Sequence, residues 1–246
     1  MKKLVSFALA IAMLASMSMT AFATSGYNTE IDVPKKDTAV TETKKEESNK
    51  VTEATDKALE AIKDVEVKAE DKTEEAKQEV VTVELKNVAE VNAETFAEVA
   101  KEAAAKNVKV EVKADNVVGN KVIARITFDA AEAAKLEKPV KLGVKTDKAA
   151  TQVVNNTFTK YFDNEVAVAK CEQQGKFGMN VRMAVKVDLE KLNKETLVFY
   201  SYDAKTNTFK KIANPKYVVD KNGYVHFDTK LGGSIVITDK PLTLKK

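Results

Sequence analysis

Cysteine is almost missing from this sequence, and its one occurrence, Cys171 among 246 residues, rules out an intrachain disulfide. A disulfide-stapled scaffold is therefore excluded. Histidine is equally scarce, and the lone His226 cannot supply the several nitrogen ligands of a zinc site. Tryptophan is absent, which removes the ring best suited to a large flat stacking surface. With 8 glycines in the whole chain, there is no glycine-rich phosphate loop and no dinucleotide fingerprint. No long apolar run follows residue 23, so no integral membrane segment is expected beyond that point.

The one long apolar run lies at the start. Met1, Lys2 and Lys3 form a basic head, Leu4 to Met19 an apolar stretch interrupted by Ser6, Ser16 and Ser18, and Ala21, Phe22, Ala23 a small-residue cleavage site. This is the pattern of a secretory signal peptide over 1–23, and it predicts a secreted product. The sequence shows no lipid-accepting cysteine after it, no wall-sorting tail and no apolar C-terminus around Leu244 to Lys246. The expected location is therefore free secretion or non-covalent association with a cell surface.

Residues 24–78 are mainly Lys, Glu, Asp, Thr and Ala, with an acidic excess, and offer too little apolar area to offset the entropy of ordering them. They read as a charged, disordered, low-complexity spacer. Within it, Ala54, Ala58, Leu59, Ile62 and Val65 recur at helical spacing and predict one short helix, capped by Thr52 or Thr55. The remainder, 79–246, carries a mild basic excess that is ordinary for a solvated surface, and the whole chain has a formal charge of +3. Nucleic acid is not an expected partner.

From residue 79 the pattern changes. Val81, Val83 and Leu85 alternate with polar residues as in a half-wet strand, and Asn92 caps a helix whose inner stripe is Phe96, Val99, Ala100 and Ala103. Alternating strands follow at 108–112 and 122–128, another helical turn or two begins at Asp129, and a strand runs over 140–145. Residues 79–149 thus read as an α+β subdomain, and 150–246 as a mainly β subdomain or a continuation of the same domain. Phe158, Tyr161 and Phe162 supply anchoring bulk there, with no later counterpart to the helix at 92–106. Strands are expected near Val166, Val181 to Val187, Leu197 to Tyr202, Thr208 to Ile212, Tyr217 to Val219, Tyr224 to Phe227 and Ser234 to Thr238. The expected fold is mainly β with one or two short helices, as a sandwich-like or open-barrel module after the spacer.

The segments Tyr200-Ser201-Tyr202-Asp203, Phe209-Lys210-Lys211-Ile212 and Asp220-Lys221-Asn222-Gly223-Tyr224-Val225-His226-Phe227, closed by a glycine-led strand from Gly232, resemble poorly characterised β-rich modules of secreted clostridial and ruminococcal surface proteins. The resemblance implies a non-catalytic surface module and supplies no functional residue.

Chemistry is sparse in the residues themselves. His226 reads as an ordinary strand residue, and Cys171 as small packing between layers or an exposed thiol. The turns at Asp203 to Asn207 and Asp220 to Asn222 carry oxygens but are explained as hairpin turns, so no metal and no cofactor is expected. Aromatic residues give the strongest lead. Tyr200 and Tyr202 share a strand face, with Tyr217 and Tyr224 nearby in sequence and Lys210 adding a polar contact, a set able to stack on sugar rings. The expected function is a secreted, non-enzymatic module that binds a polysaccharide or cell-envelope polymer; a structural envelope protein or an adhesin for surface proteins is the alternative.

Overall fold

The structure, a computed structural model, describes residues 37–65, 79–213 and 215–245, with side chains from Glu47 onward. The signal peptide predicted over 1–23, and 66–78 of the predicted spacer, lie outside the described residues. Asp37 to Lys246 cluster as one compact unit.

Helix α1 (Asp37–Asp64) occupies much of the predicted spacer. Ala58 and Ile62 from the predicted apolar stripe are buried, and Val51, Ala54, Leu59 and Val65 pack around them. Thr52 and Thr55, expected as caps, lie inside the helix and bond back to the carbonyls of Ser48 (3.0 Å) and Val51 (3.1 Å). Past its C-terminal end, the Lys106 ammonium donates to the Val65 carbonyl at 2.9 Å and also to that of Lys63, satisfying groups a helix end leaves unpaired.

Next come β1 (Val80–Lys86), β2 (Glu90–Val91), α2 (Ala93–Ala105), β3 (Lys109–Val118) and β4 (Lys121–Asp129). Asn92 caps α2 through a reciprocal exchange with Thr95, and Asn107 leaves the helix at φ 53. The return through α2 makes β1 and β3 parallel, whereas β3 and β4 form a hairpin. Helix α3 (Ala130–Ala133) and the short strands β5 (Val140–Lys141) and β6 (Val144–Lys145) lead to α4 (Lys148–Tyr161). Seven strands complete the chain: β7 (Ala167–Cys171), β8 (Lys176–Lys186), β9 (Val198–Asp203), β10 (Thr208–Lys211), β11 (Tyr217–Val219), β12 (Tyr224–Leu231) and β13 (Ser234–Thr238).

These strands form a six-stranded sheet in the order β1-β3-β4-β8-β12-β11, a five-stranded sheet in the order β10-β9-β13-β7-β6, and the small pair β2-β5. The β4–β8 contact joins strands from either side of residue 150 in one sheet. One face of the large sheet is apolar. Helix α2 covers part of it, with Phe96 edge-on to Phe128 at 5.7 Å, and the second sheet covers another part, where Phe199 meets Phe227 at 4.7 Å. On the far side of the second sheet, Val154 and Phe158 of α4 pack on Val168, Tyr200, Tyr202 and Val236. Being covered on both faces, β13 is buried along its whole length. It is entered through Gly233 at φ +84, where an added Cβ would come within 2.7 Å of the Tyr202 carbonyl oxygen.

The expected mainly β fold with one or two short helices is therefore corrected. The fold is mixed α/β, 26% helix and 41% strand, with four helices among the described residues. It is not a pure sandwich or open barrel. The missed helix is α4, whose Thr151, Val153, Val154, Asn155, Asn156 and Thr157 are weak helix formers. Asp147 caps its first turn at 2.9 Å, and burial of Val154 and Phe158 overrides local propensity.

Candidate functional site

The residues expected to form a tyrosine platform do not share a surface. Tyr200 and Tyr202 are buried beneath α4; the Tyr202 hydroxyl donates to Asn207 Oδ1 at 2.8 Å, and the Tyr200 oxygen accepts from the Leu242 amide at 3.2 Å. Tyr217 turns inward onto Phe199 and accepts from the Leu197 amide at 2.9 Å. Tyr224 lies on the opposite face of the large sheet and donates to the Val122 carbonyl at 2.5 Å. Lys210 stands exposed on the edge strand β10. Two of the four rings are thus core and the other two are anchored singly.

His226 and Cys171 are equally separate. The imidazole Nε2 lies 3.0 Å from Asp220 Oδ2, while Asp220 Oδ1 accepts the Asn222 and Tyr224 amides at 2.8 and 2.9 Å. The His226 hydrogen bond, followed by these amides, holds the Asp220 carboxyl below its ordinary value. A depressed carboxylate pKa stabilises the fold above the unfolded value and loses that contribution as pH falls through the folded one. Asp220→Ala is therefore expected to lower the melting temperature at neutral pH, with the gap from the parent protein narrowing below about pH 4; a gap that widens in acid contradicts this assignment.

Cys171 is buried in the main core, and desolvation pushes its thiol up to about 12. Such a thiol carries almost no thiolate near neutrality. A thiol reagent at about pH 8 is expected to leave Cys171 unmodified until denaturant is added; rapid modification of the folded protein contradicts its burial. The Asp203 turn spends Oδ1 on the Lys205 amide at 2.9 Å, and no group of three or more metal-binding side chains occurs among the described residues.

What the fold does assemble is an open groove of about 760 Å³, lined by outward residues of the large sheet together with Lys211, Ile212 and Ala213 at and after the end of β10. The outward face of the sheet follows from strand alternation: Val112, Phe128, Val181 and Phe227 point into the core, which sends Glu111, Thr127, Arg182 and Asp228 outward. The registers set Thr127 opposite Arg182 and Arg182 opposite Asp228, while Glu111 stands opposite Asp129. Four adjacent strands, β3, β4, β8 and β12, thus carry polar groups across roughly 14 Å.

Two hydrogen-bonded side-chain pairs line it. Arg182 Nε donates to Asp228 Oδ1 at 2.9 Å, and this bond, aided by the Asp228 charge and by Glu111, raises the guanidinium pKa. At the β4–α3 corner, Glu132 accepts from the Asn180 amide and from Asn180 Nδ2, both at 2.7 Å. The adjacent carboxylates of Glu111 and Asp129 have structural duties: Glu111 lies 3.4 Å from the Lys113 ammonium, and Asp129 caps α3 at 2.8 Å. Phe128 contributes to the groove from a buried position, and Val181, Ile212, Ala213 and Leu231 add apolar surface beside the polar groups.

The alternation of β8 is legible in the sequence, but this site is not. Asn180 and Arg182 are legible as outward residues of one strand, but Asp228 falls just past the strand expected at Tyr224 to Phe227, and nothing local states that the two strands are neighbours. Glu132 is more remote still, since α3 reaches Asn180 across 48 positions.

Comparison with protein-family models and with curated proteins gives no match to the chain. Among the described residues, no helix is long and apolar enough to cross a membrane.

Proposed function

We propose that this is an exported, non-catalytic module that binds a polysaccharide or another cell-envelope component, either released or held at a bacterial surface by non-covalent contacts. The observation that carries the reading is the open groove across four strands, whose paired side chains Arg182–Asp228 and Asn180–Glu132 combine donors and acceptors on a fixed sheet. A polymer can run through such a trough without a terminus entering it. The engagement of Glu111 by Lys113 and of Asp129 by the α3 amide argues against their use as a catalytic acid–base pair. The signal-like residues 1–23 support export.

The alternative, a structural envelope protein or adhesin, draws on the exposed edge strand β10. Lys210 and Lys211 lie on that edge, and lysines there oppose strand-to-strand addition. The polysaccharide reading is accordingly preferred. It is tested by retention of the purified protein on immobilised wall polymers and plant or mucin glycans against ligand-free matrix. Saturable retention on one class supports it, and passage through every column at high protein concentration contradicts it.

A further inference from the structure

We propose that the polymer taken by the groove is an uncharged polysaccharide, recognised through vicinal hydroxyl groups. This rests on the polysaccharide reading above and goes beyond it by naming the chemical class. The basic side chains lining the groove are Lys109, Arg182, Lys211 and Lys230. Against them stand Glu111, Asp129, Glu132 and Asp228, so the lining is balanced in charge. A polyanion entering here meets four carboxylates, and a polycation meets four bases. Either must be stripped of water beside like charges, without a compensating excess of the opposite sign.

The hydrogen-bond inventory points the same way. In the Arg182–Asp228 pair the bond joins Nε to Oδ1, and a guanidinium carries further N–H donors on its Nη atoms while a carboxylate carries a second acceptor oxygen. A hydroxyl both donates and accepts. Two neighbouring hydroxyls on a sugar ring can therefore take one bond from Arg182 and give one to Asp228 while the ion pair stays intact. An anionic group can only accept, and it competes with Asp228 for the guanidinium. The Arg182 and Asp228 side chains are 63% and 51% exposed, so both are accessible from solvent. Phe128, the aromatic residue of the lining, is buried and offers no ring face for a sugar to stack on.

Affinity electrophoresis of the purified protein tests this, using gels that carry an uncharged glucan, xylan or mannan and gels that carry a polyuronate or a phosphate-linked polymer. The expected result is retardation by an uncharged polymer, changing less than about twofold between about 50 and 500 mM salt. Glu111→Gln combined with Asp228→Asn, which makes the lining net positive, is expected to gain salt-sensitive retardation by the polyuronate. Retardation of the parent protein by polyanions alone, falling about tenfold over that salt range, overturns the inference and leaves the polysaccharide reading standing. Absence of retardation in every gel overturns both.

Discussion

Replacing Tyr202 with alanine is expected to destabilise the protein by about 3–5 kcal/mol, the range for truncating a large buried aromatic side chain. The ring is buried against Phe158, edge-on at 5.3 Å, and its hydroxyl ties the following turn through Asn207. The mutation opens a cavity between α4 and the second sheet and leaves Asn207 without that donor. Denaturant unfolding measures the loss. A Tyr202→Ala protein with unchanged stability and reduced glycan binding contradicts the packing described here and restores the ring to a surface role.

The second large effect is expected in α1. Ile62→Ala should cost about 2–4 kcal/mol, because Ile62 has no exposed surface and packs into the same core as the sheets. Thr52→Ala, on the exposed side of the same helix, should change stability by less than about 0.5 kcal/mol. Equilibrium unfolding of the two variants separates a docked helix from a tether. Equal, negligible effects contradict the docking of α1.

These two residues also show how far the sequence could be read. The recurrence of Ala58, Leu59 and Ile62 announced a helical stripe, but the Lys- and Glu-rich composition around it weighed toward a spacer. A few buried side chains suffice once a preformed sheet edge and α2 supply the opposing surface, and that surface is not encoded locally. Tyr200 and Tyr202 posed the converse problem. Their alternation placed both rings on one face, and this is how they lie, but periodicity does not say whether a face meets water or a helix. The helix that covers them, α4, was itself concealed by its Thr, Val and Asn content. Capping chemistry was more legible: Asn92 begins α2 in the sequence and in the structure because its side chain serves amides only a few residues away. The groove was least legible, since Arg182 meets Asp228 across 46 positions and Glu132 meets Asn180 across 48.

On the reading proposed above, the polar groove, and not the tyrosine face, binds polysaccharide. It is tested most directly by comparing Arg182→Ala and Asn180→Ala with the parent protein for polymer retention and thermal melting in the same preparations. Arg182 and Asp228 form an exposed ion pair worth less than about 1 kcal/mol to stability, so removing Arg182 should leave melting nearly unchanged. Retention is expected to fall by at least about tenfold in Arg182→Ala, the loss of one charge-assisted contact, and to fall also in Asn180→Ala. Full retention in both variants, with native melting, contradicts it.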